Sequence, residues 1–215
     1  MRAILIAAKH LAFAKTRLES AVGEAGRMAL AEAMFRDVLG AALSASVADH
    51  VAVISSDPAL LDLARAAGAL VIDEEFPRGL NAAVRLATAA LATQGVSALC
   101  TVLSDIPLVT GEDIDAVFGE LAAEERGVVL VPSRDLSGTN MIARAPANAI
   151  ATRFGRGSLA RHIEECYRLG VPCRVVRRRG PALDLDMADD LNEFVRTPTM
   201  THTYSQLARL GIAHG

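Results

Sequence analysis

A chain of 215 residues, 52% hydrophobic and 22% charged, is long enough to bury a sizeable core as one α/β unit, and no repeat, linker or low-complexity stretch divides it. Its 22 Lys+Arg against 25 Asp+Glu give a formal charge of -3, and there is no Trp, so neither a basic field nor stacking platforms point to nucleic acid or an anionic membrane. Three cysteines, Cys100, Cys166 and Cys173, lack CxxC spacing, suggest neither a disulfide framework nor a zinc site, and fit a reducing cytoplasm.

Ala3 to Ala8 is a continuous apolar run of strand length, too short for a signal peptide or a membrane span, and it meets Lys9 at once. The loop that follows carries Lys9, Lys15 and Arg17, and an Ala/Leu/Met-rich helix is predicted from about Ala25 to Ser44. Val51 to Ile54 reads as a second strand, and Asp57-Pro58 starts a helix that Gly68 ends. Leu70 to Ile72 is a third strand, Gly79-Leu80-Asn81 opens a helix to about Thr93, and Leu99 to Leu103 is a central strand. Thr110-Gly111-Glu112-Asp113 resembles a capping box before another helix. Alternating strands and helices predict a doubly wound, mostly parallel twisted sheet flanked by helices.

The second half is less regular. Val128 to Pro132 is a strand, Ser133 to Gly138 a polar turn, and Thr139 to Ala143 is expected as an outer strand leading to Phe154-Gly155-Arg156-Gly157-Ser158. Ser158 is expected to cap a helix over about Leu159 to Leu169, Cys173 to Arg177 and Leu183 to Asp186 to be extended, and Ala188 to Val195 to be a short helix. Residues Arg196 to Gly215, with a weak helical pattern at Tyr204, Leu207, Ala208 and Leu210, are expected to form a C-terminal strap on a single domain.

Two acidic groups carry the chemistry. Pro107 stops the central strand, so Asp105 sits near its carboxyl end, the edge where open α/β sheets bind ligands; a capping or turn carboxylate is the alternative reading. Leu183-Asp184-Leu185-Asp186 alternates, so an extended backbone puts both acids on one face and both leucines on the other. Acids so placed repel unless a cation joins them. The first loop has no P-loop glycines and no GxGxxG, so Lys9, Lys15 and Arg17 would hold phosphates as point charges and a planar fork, or else form a solvated loop. Gly155 and Gly157 allow close backbone approach and Ser158 at a helix start offers amides and a hydroxyl to an anion, a simple loop with an N-cap being the alternative reading; Thr139-Asn140 exposes two polar side chains near the same edge if Val128 to Val131 is a core strand. His162 reads as a packing or surface histidine, not a base. His10, His50, His202 and His214 show no metal or triad spacing, and no serine sits in a GxSxG elbow.

Taken in order, Lys9 with Lys15-Thr16-Arg17-Leu18, Met34 with Asp37-Val38, Gly79-Leu80-Asn81, Asp105-Ile106-Pro107-Leu108, Pro132 with Gly138-Thr139-Asn140, Phe154-Gly155 with Ser158 and His162, and Leu183-Asp184-Leu185-Asp186 with Asp189-Asp190-Leu191 form a specific set. Almost end to end, the chain resembles the guanylyltransferases of deazaflavin coenzyme (coenzyme F-420) biosynthesis. Those enzymes transfer GMP from GTP to 2-phospho-L-lactate, phosphoenolpyruvate or 3-phospho-D-glycerate. The resemblance implies a glycosyltransferase-A-like nucleotidyltransferase fold, magnesium on Asp105, Asp184 and Asp186, and catalytic roles for Lys15 and Asp105. It further implies nucleotide contacts from Lys9, Arg17, Asn81 and Pro132, and an acceptor pocket at Thr139, Gly155 and Ser158, with Asn140 beside them. GTP and a phosphorylated three-carbon acid are the expected partners, and a homodimer is left open.

An acceptor phosphate has its second pKa near ~6, so attack on the α-phosphorus needs orientation and charge neutralisation and no general base. Family members often read Phe-Gly-Pro where this chain has Phe154-Gly155-Arg156-Gly157. The added cation favours the longer acceptor, 3-phospho-D-glycerate. The alternatives are another cofactor or sugar-phosphate nucleotidyltransferase of this fold, such as a molybdopterin guanylyltransferase, which usually carries a glycine-rich first loop, or a nucleotide-binding protein without catalysis.

Overall fold

Ala3, Ile4, Leu5 and Ile6 are all fully buried, as an apolar run covered on both faces demands, and they form the centre of β1 (Arg2–Ala7). The computed structural model describes residues 1–121, 126–197 and 199–213; Pro198, His214 and Gly215, at which the strap and one of the histidines were expected, lie outside the described residues. The remaining elements are α1 (Glu19–Ser44), β2 (His50–Ser55), α2 (Pro58–Ala66), β3 (Leu70–Asp73), α3 (Leu80–Thr93), β4 (Ala98–Leu103) and α4 (Gly111–Leu121). After these come β5 (Gly127–Pro132), β6 (Thr139–Ala145), α5 (Ser158–Arg168), β7 (Cys173–Val175), α6 (Ala188–Phe194) and α7 (His202–Arg209). The strands form one sheet in the order β3-β2-β1-β4-β6-β5-β7.

Strand periodicity sorts the core into two layers. Ile4, Ile6, Cys100, Val102, Val129 and Val131 face the side covered by α1, α2, α4, α6 and α7. Ala3, Leu5, Leu99, Val128 and Leu130 face the side covered by α3 and α5. Local signals hold at several starts. The Asp57 carboxylate accepts from the amides of Ala59 and Leu60 with Pro58 in the first turn of α2. Thr110 and Asp113 exchange reciprocal bonds ahead of α4, as a capping box requires. α1 is broken at Gly23 (φ 70°), so its regular part starts close to the expected Ala25.

Two expectations are corrected. β6 is not an outer strand: it lies between β4 and β5 and pairs antiparallel with both. The six-residue turn from Ser133 to Gly138 is far too short for a parallel crossover, so β6 must return beside β5, and its Met141-Ile142-Ala143 centre is buried on both faces. Ser158 is not the cap of α5; Gly157, at φ 71°, takes that position, and Ser158 is the first helical residue. At the C-terminus, α7 packs on α1 with Leu207 fully buried, and the Asp37 carboxylate of α1 accepts from the amides of His202 and Thr203 at 2.7 and 2.9 Å.

Candidate active site

The loop between β1 and α1 is built around a buried arginine. Arg27 reaches back from α1 and donates to the carbonyls of Leu11, Ala12 and Ala14 at 3.1, 2.9 and 2.9 Å, while its Nε donates to Glu19. One guanidinium thereby reaches three turn carbonyls, of which the Leu11 carbonyl also accepts from the Ala14 amide at 3.1 Å. The loop is folded into short 3-10 turns, with Lys15 between them in the left-handed region at φ 52°. That conformation aims the Lys15 ammonium at the carboxyl edge of β4. It donates to Asp105 Oδ2 at 2.7 Å and to Asp186 Oδ1. Burial alone would lower the pKa of this ammonium, but the Asp105 and Asp186 carboxylates outweigh it and hold it above its ordinary value.

The two acidic stretches meet through a backbone bond. β4 ends at Leu103, Asp105 lies in the turn just beyond, and its carbonyl accepts from the amide of Leu185 at 3.1 Å. The 183–186 segment alternates as expected: Leu183 and Leu185 are buried in the core, and Asp184 and Asp186 face the edge. Asn140 Nδ2 clamps this segment by donating to the Pro181 carbonyl at 2.9 Å and to Asp184 Oδ1 at 3.2 Å. The Asp190 carboxylate accepts from the amides of Asp186 and Met187, which fixes the turn into α6.

Two cavities flank these acids. The smaller, about 370 Å³, is lined by Lys9, Lys15, Thr16 and Arg17 over an apolar floor of Ala31, Met34, Phe35 and Leu60. The larger, about 620 Å³, is lined by Thr139, Asn140, Gly155, Arg156, Ser158 and Asp184 among others. Arg17, Asp105 and Asp186 line both.

On the far wall, fully buried His162 holds two walls of the larger cavity together. Its Nδ1 is 3.0 Å from Thr139 Oγ1, its Nε2 accepts from the Arg153 amide at 2.7 Å, and its ring packs edge-on to Phe154 at 5.4 Å. Burial, then the Arg144, Arg161 and Arg153 charges, lower its pKa to about 4. Asn81 pins the same loop by a two-way bond: Oδ1 accepts from the Phe154 amide and Nδ2 donates to the Phe154 carbonyl.

The chain as a whole matches known proteins. The family model "Guanylyl transferase CofC like" covers residues 1–214. The chain belongs to the CofC-like guanylyltransferase family. Among its relatives, a phosphoenolpyruvate guanylyltransferase of Sphaerobacter thermophilus is 35% identical, covering 88% of this chain and 90% of that one. A 3-phospho-D-glycerate guanylyltransferase of Phenylobacterium zucineum is 36% identical over 92% and 91%. A 2-phospho-L-lactate guanylyltransferase of Methanothermobacter thermautotrophicus is 32% identical over 96% and 89%. The fold is shared with a crystal structure described as that of a nucleotide-diphospho-sugar transferase from Desulfovibrio desulfuricans G20, with a TM-score of 0.79 at 18% identity, covering 100% and 99% of the two chains.

Within this CofC-like chain, the sequence-predicted residues divide by position. Lys9, Lys15, Arg17, Asp105, Asp184, Asp186, Thr139, Asn140, Gly155 and Ser158 all line one or both cavities. Asn81 and Pro132 line neither. Asn81 has both ends of its amide engaged by Phe154, and Pro132 sits at the end of β5 opposite Thr139, so each shapes the wall from behind. Asn140 likewise has its amide nitrogen turned to the 181–184 segment. The Ser158 amide donates to the Gly155 carbonyl at 3.0 Å, so what Ser158 brings to the cavity is its side chain and not the expected free amide.

Arg27 and Asp190 were missed. Arg27 lies in an Ala-rich helix where no pattern marks it, whereas Asp190, third in an acidic helix start, carries a capping signal. Among the described residues, no three His, Cys, Asp or Glu side chains gather as a ready metal cage, and the Lys15 ammonium lies between Asp105 and Asp186. The donors nonetheless suit a hard cation that draws its other ligands from phosphates. Asp105 Oδ1 is buried with no hydrogen-bond partner, and burial together with the Asp105 charge pushes the Asp184 carboxyl up.

Proposed function

We propose that this chain transfers GMP from GTP to a phosphorylated three-carbon acid with release of pyrophosphate, that the reaction depends on magnesium, and that 3-phospho-D-glycerate is the acceptor. The reading rests on one observation: Arg17, Asp105 and Asp186 line both cavities, so a cation-rich pocket and a pocket of short hydroxyls and glycines open onto the same acids. An acceptor phosphate lying in the larger cavity would face a nucleotide whose phosphates lie along Lys9, Lys15 and Arg17.

In that reading an acceptor phosphate oxygen forms a bond to the α-phosphorus of GTP while the bond from that phosphorus to the α,β-bridging oxygen breaks, and pyrophosphate leaves with the electron pair. No proton needs to be removed, because the acceptor phosphate is mostly dianionic at neutral pH. His162 is accordingly absent from the chemistry, its Nε2 being occupied by a backbone amide. Lys15, Lys9 and Arg17 offset the charge that develops on pyrophosphate, and Lys15, already dehydrated against two carboxylates, does so with little reorganisation. Asp105, with Asp184 and Asp186, would hold magnesium, and when bound that ion supplies further neutralisation of the phosphoryl oxygens.

The choice of acceptor rests on Arg156, which lines the larger cavity beside Gly155 and Ser158 and offers a cation to an acid whose phosphate and carboxylate lie further apart. The deciding experiment offers 3-phospho-D-glycerate, phosphoenolpyruvate and 2-phospho-L-lactate together, with GTP and magnesium fixed, and separates products by mass. Guanylated 3-phosphoglycerate is expected to dominate. Dominance of either other product overturns the choice of acceptor, and transfer to none of the three overturns the function.

A further inference from the structure

His162 and Thr139 are linked in a way that fixes where one proton points. An amide N–H only donates, so the 2.7 Å contact from the Arg153 amide requires a lone pair on His162 Nε2. A neutral ring then carries its hydrogen on Nδ1, 3.0 Å from Thr139 Oγ1, and that hydrogen is donated to the threonine oxygen. The ring is 0% exposed, so no water competes for either nitrogen. With one lone pair of Thr139 Oγ1 filled from behind, its own O–H must turn elsewhere, and Thr139 lines the larger cavity.

We infer that His162 is a positioning residue for the acceptor: by donating from Nδ1 it turns the Thr139 hydroxyl into a donor aimed at an anionic oxygen of the phospho-acid. The inference rests on the functional reading above for the identity of that anion. It does not rest on it for the direction of the hydrogen bonds, which follow from the Arg153 contact. Burial and three neighbouring guanidinium groups keep the imidazole neutral, so the relay persists across the working pH range. The same ring ties α5 to the Arg153–Phe154 segment, so the donor and the glycine loop that follows it are set by one side chain.

Three variants separate positioning from mere packing. In His162→Gln the side-chain oxygen reaches the place of Nε2 and keeps an acceptor for the Arg153 amide, but the donor to Thr139 is lost. In His162→Asn the amide nitrogen falls near the place of Nδ1 and keeps the donor. Thr139→Val removes the hydroxyl at nearly constant shape. With the wild-type acceptor and saturating GTP, His162→Gln is expected to raise the acceptor KM roughly tenfold, the worth of one hydrogen bond to a charged group, with the GTP KM unchanged. His162→Asn should recover part of that loss. The double variant Thr139→Val/His162→Gln should be no worse than Thr139→Val alone, since both remove the same donor.

Losses that multiply in the double variant, or a GTP KM that rises alongside, would overturn the inference. A second readout needs no turnover. Nitrogen-15 NMR of histidine-labelled protein, with His162 assigned by its absence in His162→Gln, should show the hydrogen on Nδ1 near neutral pH; a hydrogen on Nε2 overturns the inference whatever the kinetics. Should the wild type transfer GMP to no phospho-acid, the functional reading fails, and the NMR result still decides the direction of the Thr139 hydroxyl.

Discussion

Asp105 shows at a single residue how function and stability pull apart. One oxygen binds Lys15 and the other is buried without a partner, while Asp184 nearby is pushed up by burial and by the charge of Asp105. Asp105→Asn relieves that repulsion but removes one of the two carboxylates that line both cavities and pair with Lys15. We expect kcat to fall by roughly a hundredfold to a thousandfold, with the melting temperature little changed because the lost Lys15 pair offsets the relieved repulsion. Parallel loss of activity and melting temperature would mean that Asp105 serves the fold. His162 carries the opposite cost. Its pKa is lowered from 6.5 to about 4, so below pH 6.5 the unfolded chain binds a proton that the folded chain refuses. Stability from this group is complete above about pH 6.5 and falls as the pH drops towards 4, by about 3 kcal/mol in all. Urea unfolding at pH 4 to 7 should show that slope in the wild type and a shallower one in His162→Gln.

At the scale of elements, the loop after β1 depends on α1. Arg27 satisfies the carbonyls of Leu11, Ala12 and Ala14, and only in that frame does Lys15 hold its left-handed conformation. Arg27→Met leaves the Ala12 and Ala14 carbonyls without their donor, the bond to Ala14 being buried, while the Leu11 carbonyl keeps the Ala14 amide. A loss of about 1–3 kcal/mol in urea unfolding is expected, the cost of one buried group left unpaired. Because Lys15 then loses its aim, the rate at saturating substrates should fall as well, measured well below the midpoint of unfolding. A destabilised variant with full activity would show that the loop needs no frame. Joining the acids takes a second pair of elements: the Leu185 amide bonds the Asp105 carbonyl, and Asn140 at the start of β6 holds Asp184, so the inserted antiparallel strand is what brings the 183–186 segment to the edge of β4.

For the whole molecule, the question is whether the fold would need the magnesium proposed above. The Lys15 ammonium pairs with Asp105 and Asp186, so one negative charge of these acids is already offset by the chain itself. Chelation with EDTA is therefore expected to abolish GMP transfer reversibly, with activity restored by magnesium, and to move the melting temperature by no more than about 2 °C, since no folding energy is tied to the ion. A large drop in melting temperature on chelation would show the acids to be a structural site. The sheet itself supplies the rigidity: among the described residues seven strands in one sheet, with helices on both faces, hold the two cavities against a common edge.

Alternating apolar runs and capping residues, read along the chain, determined the first half of the sheet, the helix starts at Asp57-Pro58 and Thr110–Asp113, and the inward and outward faces of Leu183 to Asp186. These are short-range properties, fixed by backbone periodicity and by side chains a few residues apart. The ordered motifs also marked the family and the residues that line the cavities. The insertion of β6 between β4 and β5, the Lys15 contacts with Asp105 and Asp186, the Arg27 clamp and the His162–Thr139 link were decided only in three dimensions. Each joins groups distant in sequence, and a buried polar atom finds its partner only once packing has excluded water and left it no other. For the same reason Asn81 and Asn140, legible as polar residues near the site, proved to turn their amide nitrogens to backbone carbonyls that only the folded chain brings within reach.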